Sequence, residues 1–275
     1  MIRAGRRPSL LPAPGPILLL SLATAACGVL FTAGCGSGRA GDSLRVSAAV
    51  SLTESLEAAA AAFERTTGRR VVLNFGASNV LAQQVVEGAR IDLFISADDP
   101  QMARVVAQGL AATPIVPLWG NRLVVVTPAG APVPSPMPEA LADPRVERIA
   151  IGDPAGVPAG VYARQWLEAI GLWQEIERKI VPSGSVRAAL AAVAAGNAEA
   201  GVVYATDVGK RSGVAVAHEV TGEAAPRIVY SAVILTSSSQ PRLAHELLVF
   251  LRDSEEARQA FMRAGFSLPG RTGAS

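Results

Sequence analysis

Cysteine is almost missing from these 275 residues, and its placement limits what the fold can contain. Cys27 and Cys35 both lie near the N-terminus. The rest of the chain can therefore form no disulfide and no cysteine-ligated metal site. Histidine is equally scarce, and His218 and His245 stand far apart, which argues against an imidazole metal centre. Aromatic residues make up only 5% of the chain. Trp119, Trp166 and Trp173 are too scattered for a base-stacking platform and read as core. An excess of one charge is lacking too. With 25 basic against 23 acidic residues the net charge is +2, and no basic run points to a nucleic-acid partner. There is no Gly-x-Ser-x-Gly elbow, no Walker loop and no dinucleotide fingerprint.

The N-terminus holds a leader. Arg3, Arg6 and Arg7 precede an apolar run from Ile17 to Ala26, and small residues follow up to Gly34. That order is a secretory signal, and the run falls short of the ~20 residues a spanning helix needs. Ala33-Gly34-Cys35 resembles a lipoprotein processing box, with Thr32 where Leu is usual and Cys27 as a second candidate. Residues 1–35 are thus read as leader, with Cys35 as the lipidation site. Residues 36–42, rich in Gly and Ser, are read as a flexible tether to the outer face of the cytoplasmic membrane. Without the three leader arginines, 22 basic residues face 23 acidic ones, a net charge of −1. Any anion must then be attracted by a local site.

The remaining residues alternate short β-type runs with Ala-rich amphipathic stretches, which predicts α/β lobes with mainly parallel sheets. Strands are expected at 44–50, 71–75, 92–96, 123–126, 149–151, 180–181, 201–204 and 228–235. Helices are expected at 51–65, 78–87, 100–109, 159–170, 186–195, 241–252 and 254–264. The proline-rich stretch 128–138 reads as a lobe boundary. This gives one lobe from 43–127 plus 228–275 and a second from 128–227, each near ~100–120 residues.

Four helices open directly after a strand, at Ser51, Ser78, Ala159 and Val186. A helix start carries unpaired N–H groups and about half a positive charge. Starts aimed at one point can therefore hold an anion without Lys or Arg. Capping alone would account for either serine, so spacing leaves both readings open. Three further residues have two readings each. Asp207 is an acceptor for a protonated oxyanion or a turn residue, and Arg187 a carboxylate partner or a surface helix residue. Asp98 caps the helix at Pro100 or pairs with Asp99 at a metal. Tyr162, Tyr204 and Tyr230 lie far apart in sequence, unlike the clustered tyrosines of a ferric-ion carrier.

Five strings occur in order over residues 43–268: Ala48-Ala49-Val50-Ser51-Leu52-Thr53; Asp92-Leu93-Phe94-Ile95-Ser96-Ala97-Asp98; Gly152-Asp153-Pro154 with Val157-Pro158-Ala159-Gly160; Val186-Arg187-Ala188-Ala189-Leu190; and Val202-Val203-Tyr204. Together they resemble the molybdate-binding proteins of ABC importers, within the type II periplasmic binding fold. The resemblance implies two lobes joined by two crossover strands. It implies a periplasmic, monomeric binding protein, not an enzyme, with no cofactor. Its ligand would be molybdate or tungstate, and its partners a membrane permease and an ATPase. It places the ligand contacts on the side chains of Ser51, Ser78 and Tyr204 and on the backbone N–H groups of Ala159 and Val186. Val50 and Asn79 depart from the family's commoner Ala and Ser at sites flanking the ligand. Two alternatives stand beside this reading. One keeps the fold but binds sulfate or another small anion. The other is an enzyme on a small phosphate ester with Ser51 or Ser78 as nucleophile.

Overall fold

The computed structural model describes residues 43–132, 136–209 and 213–269. The leader, the tether and Cys35 lie outside the described residues. Among the described residues ten strands and eight α-helices follow in chain order. They begin β1 (Ser43–Ala49), α1 (Thr53–Thr67), β2 (Arg70–Gly76), α2 (Ser78–Val86), β3 (Leu93–Ser96) and α3 (Asp99–Ala107). Next come β4 (Val116–Asn121), β5 (Leu123–Pro128), β6 (Ile149–Gly152), α4 (Pro158–Ala169), α5 (Trp173–Ile176), β7 (Ile180–Ser183) and α6 (Val186–Ala194). The chain closes with β8 (Ala200–Tyr204), β9 (Val214–Glu219), β10 (Ile228–Ile234), α7 (Pro241–Asp253) and α8 (Glu255–Arg263).

The strands form two sheets of one plan, ordered β2-β1-β3-β10-β4 and β7-β6-β8-β5-β9. In each, three parallel strands carry the β-α-β windings, and two strands added at one side bring the antiparallel pairings. The result is the two-lobed α/β architecture expected. The chain passes between the sheets twice, from β4 to β5 at Arg122 and from β9 to β10.

That first crossing corrects the expected boundary. Leu123–Pro128 pairs with β8 and β9, so it belongs to the second sheet. The prolines beyond 128 mark a loop after the strand, whereas the crossing is fixed by long-range pairing. Two further strands escaped the sequence pattern. β4 contains Pro117 and Gly120, which weaken a strand signal, and Pro is tolerated there because β4 is an edge strand. β9, the other sheet's edge, is half-buried along most of its length and lacks a clear alternation.

Burial explains the layering. Along β3, Leu93 and Ile95 join one apolar cluster while Phe94 joins another. On β10, Ala232 and Ile234 face the first and Val233 the second. Successive strand residues point to opposite faces, so this sheet is covered on both sides. One cover carries Leu56, Phe63, Leu247 and Phe261 of α1, α7 and α8; the other carries Leu81, Val85, Met102 and Val105 of α2 and α3. Trp119 and Trp166 are buried as expected, Trp119 stacked on Phe261 and Trp166 beside His218. Trp173 is half-buried under the Arg164 guanidinium. Among the described residues no helix is long and apolar enough to cross a membrane.

Candidate functional site

Loops at the carboxyl ends of strands from both sheets converge on one pocket. From the first sheet come Ala49, Val50 and Ser51 after β1, Gly76, Ala77 and Ser78 after β2, and Ala97 after β3. From the second come Val157, Pro158 and Ala159 at the start of α4, Val186 at the start of α6, and Tyr204 at the end of β8. Open α/β sheets bind ligands at this end of their strands. All five residues singled out from the sequence, Ser51, Ser78, Ala159, Val186 and Tyr204, line the same cavity.

The helix starts differ in detail from expectation. Ser51 sits in a 3-10 turn (Val50–Leu52), and α1 opens two residues later at Thr53. Thr53 Oγ1 donates to the Val50 carbonyl at 2.6 Å and stabilises that turn. Neither serine is a cap. Ala77 occupies the N-cap of α2, and no side chain caps α1 or α2. Ser78 Oγ instead accepts the Ala97 N–H at 3.0 Å. That bond leaves the Ser78 hydrogen free to point elsewhere, and α2 begins at this residue with its own N–H unpaired. Ser51 Oγ lies 2.8 Å from Tyr230 Oη. Tyr204 is buried, and its hydroxyl has no hydrogen-bond partner among the described residues.

The second sheet contributes amides. Pro158 occupies the first turn of α4, where its missing N–H costs nothing. Ala159 follows it, and its N–H belongs to the unpaired first turn. Glycine lets this helix start approach β6 closely. A Cβ on Gly160 would collide with the Gly152 carbonyl and stand 2.9 Å from the Asp153 carbonyl carbon. Val186 opens α6 behind Ser185, an extended N-cap whose hydroxyl accepts the Ala188 N–H.

The pocket lining carries no ionised side chain. Its polar groups are hydroxyls and unpaired helix-start amides, which suits a ligand that only accepts hydrogen bonds. Its cavity volume is about 10 Å³, far below the ~300–1,000 Å³ of sites for drug-sized molecules. That size favours a small ion. Among the described residues neither serine has a base as its hydrogen-bond partner. The partners of Ser51 and Ser78 are the Tyr230 hydroxyl, whose acidity burial suppresses, and a backbone N–H. An unactivated serine is a weak nucleophile.

The charged candidates fall outside the pocket lining. The Arg187 guanidinium is held by Glu54 of α1 and, at 3.3 Å, by Asp207. It therefore ties one lobe to the other and is neither a free carboxylate binder nor an unattached surface residue. Asp98 caps α3 by accepting the Gln101 N–H. Among the described residues no cluster of three or more His, Cys, Asp or Glu could hold a metal. Tyr204 and Tyr230 do meet, with ring centroids 6.0 Å apart. Sequence reasoning missed this because β10 returns to the first sheet from the far end of the chain. Asn79 lies against Gly156 of the second lobe, where a Cβ on Gly156 would lie 3.2 Å from its side-chain nitrogen.

Burial pushes the Asp207 carboxyl up to about 7, against the lowering influence of Arg187. The folded state then keeps a proton between the ordinary carboxylate range and about 7. This group's contribution to stability is present below that range and lost as pH rises through about 7. Asp207→Asn removes the titration, so its Tm minus that of the parent becomes more positive from pH 4 to pH 7. A difference that stays flat over that range, measured by calorimetric melting, would contradict the assignment.

Known proteins resemble this chain over most of its length. Residues 44–267 match the family described as bacterial extracellular solute-binding protein. The YvgL protein of Bacillus subtilis, described as a candidate ABC transporter substrate-binding lipoprotein, is 33% identical over 86% of this chain and 94% of its own length. The molybdate-binding protein ModA of Escherichia coli is 32% identical over 82% of this chain and 89% of its own. Among solved structures, the periplasmic molybdate-binding protein of Azotobacter vinelandii superposes with a TM-score of 0.74 at 26% identity, covering 82% of this chain and 99% of that one.

Proposed function

Since the chain belongs to the bacterial extracellular solute-binding protein family, we propose that it captures molybdate between its two lobes and delivers it to the permease of an ABC importer. The observation that carries this reading is the donor set. Ser51, Ser78 and Tyr204 hydroxyls and the helix starts at Ala159 and Val186 line one small pocket with no ionised side chain. Molybdate and tungstate are fully deprotonated dianions near neutral pH, so each of their oxygens only accepts. Hydrogen phosphate carries a proton that needs an acceptor, and the lining offers no carboxylate. Five charge-assisted donors at ~1.5–3 kcal/mol each reach the ~−8 to −12 kcal/mol of micromolar to nanomolar binding. Dehydration of the anion and closure of the lobes draw on the same sum.

The chain acts as a binding protein outside the cytoplasm, and its partners are a permease and the ATPase that drives it. It works as a monomer and needs no cofactor. We assign the tether to lipid on Cys35, in keeping with the lipoprotein description of the Bacillus relative. The anion bridges the lobes, and the closed form so favoured is the one that docks. Calorimetric titration with molybdate, tungstate, sulfate and phosphate tests the reading. Molybdate and tungstate should bind at least about 100-fold more tightly than phosphate, a gap of ~2.7 kcal/mol. Equal binding of all four, or no binding of molybdate, would remove it.

A further inference from the structure

Two residues outside the pocket lining determine which way one of its hydroxyls points. Tyr230 is fully buried on β10, with its hydroxyl 2.8 Å from Ser51 Oγ and 3.1 Å from Asn121 Nδ2. The Ser51–Tyr230 pair alone leaves the donor open. Asn121, at the end of β4 where the chain crosses between lobes, removes the ambiguity.

Its side-chain carbonyl accepts the Arg122 N–H at 2.9 Å. The amide is thereby oriented, and its Nδ2 must be the atom that faces Tyr230. That nitrogen donates both to Tyr230 Oη and, at 2.9 Å, to Thr206 Oγ1 on the second lobe. Tyr230 then has one hydrogen to place. Among its described partners, Ser51 Oγ is the acceptor left for it. Were Ser51 the donor, the phenol hydrogen would be buried without an acceptor, which is costly. The bonds therefore run one way, from Arg122 N–H to Asn121, from Asn121 to Tyr230, and from Tyr230 to Ser51. The Ser51 hydrogen is left over for the pocket.

We propose that Asn121 and Tyr230 are specificity-determining residues that lock Ser51 as a donor toward the ligand, so that the site favours a fully deprotonated oxyanion over one that carries a proton. This rests on the molybdate reading and adds to it. Ser78 is polarised in the same sense by the Ala97 N–H, but through backbone that no side-chain change can reverse. Ser51 is held by side chains and can be turned. In Tyr230→Phe its hydroxyl is free to rotate and accept from a protonated anion. In Asn121→Asp, the carboxylate takes the Tyr230 hydrogen, Tyr230 accepts from Ser51, and the Ser51 hydrogen turns away from the ligand.

The test is calorimetric titration of molybdate and of phosphate into the parent protein, Tyr230→Phe, Asn121→Asp, Ser51→Ala and the Ser51→Ala/Tyr230→Phe double variant. A ligand-free melt of each accompanies the titrations. Tyr230→Phe should weaken molybdate about tenfold, the scale of one hydrogen bond, and narrow the molybdate-to-phosphate ratio. Asn121→Asp should narrow the ratio further. Its new charge repels both anions, so the ratio reports the direction of Ser51. On the Ser51→Ala background, Tyr230→Phe should leave the ratio unchanged. A Tyr230→Phe ratio equal to the parent's would overturn the proposal, as would an equal shift with and without Ser51. If Asn121→Asp fails to fold, Asn121→Ala serves in its place, with a narrowed ratio expected and an unchanged one contrary. A parent protein that binds no molybdate would instead count against the proposed function.

Discussion

Gly160→Ala should lower Tm by about 2–12 °C and weaken molybdate binding by about 100-fold or more. In an exposed helix the same change is stabilising by ~1 kcal/mol, because Ala is the better helix former. Here the sign reverses. The new Cβ would run into the Gly152 carbonyl and crowd the Asp153 backbone, and neither is a flexible side-chain end that could swing aside. Overpacking of this kind costs ~1–3 kcal/mol and occasionally more. At ~2–4 °C per kcal/mol for a chain of this size, the Tm shift follows. The relief available is for α4 to back away from β6, which carries the Ala159 amide and Pro158 off the pocket wall. Loss of good geometry at one or two charge-assisted bonds, ~1.5–3 kcal/mol each, accounts for the affinity change. A variant that melts and binds like the parent would show that the close approach of Gly152 and Gly160 does not set the site.

Val186→Pro should weaken molybdate about 10- to 100-fold while leaving the ligand-free melt within about 2–4 °C of the parent, a cost of up to ~1 kcal/mol. Proline is well suited to the first helical position, since the N–H it lacks has no helical partner there. The preceding residue must be extended, and Ser185 already is, with φ −160° and ψ 165°. The substitution therefore removes one backbone donor and exchanges the buried valine side chain for another apolar one. Val186→Ala is its complement. It keeps the N–H and truncates a side chain that is 3% exposed, so it should cost stability and spare affinity. If Val186→Pro binds as tightly as Val186→Ala, the α6 amide makes no contact with the anion.

The sequence carried this pocket unevenly, and the reason is distance along the chain. Ser51, Ser78, Ala159 and Val186 each sit where a strand gives way to a helix, a local event that composition reveals. Tyr204 ends a buried run of small and β-branched residues, Ala200 to Val203, and only the family resemblance, not the local pattern, pointed to it. Asn121 and Tyr230 have no such mark. They act on Ser51 only because β4 and β10 are neighbours in the first sheet, a pairing between segments about a hundred residues apart. The role of Arg187 was hidden in the same way, since Glu54 lies 133 residues upstream. The lobe boundary was misplaced because prolines advertise a loop, whereas membership of a sheet depends on partners that the local pattern does not name. The serines illustrate the converse. Their helix-start positions suggested caps, and only the Ala97 and Tyr230 contacts reveal that the oxygens are engaged by the protein so that the hydrogens are not.

The most direct test of the shared donor site is a crystal structure of the protein with molybdate. The anion should lie between the lobes, with its oxygens about 2.7–3.2 Å from the Ser51, Ser78 and Tyr204 hydroxyls and from the Ala159 and Val186 nitrogens, and with no carboxylate in contact. Molybdate held by one lobe alone, or bound at a different surface while this pocket holds only solvent, would contradict the account.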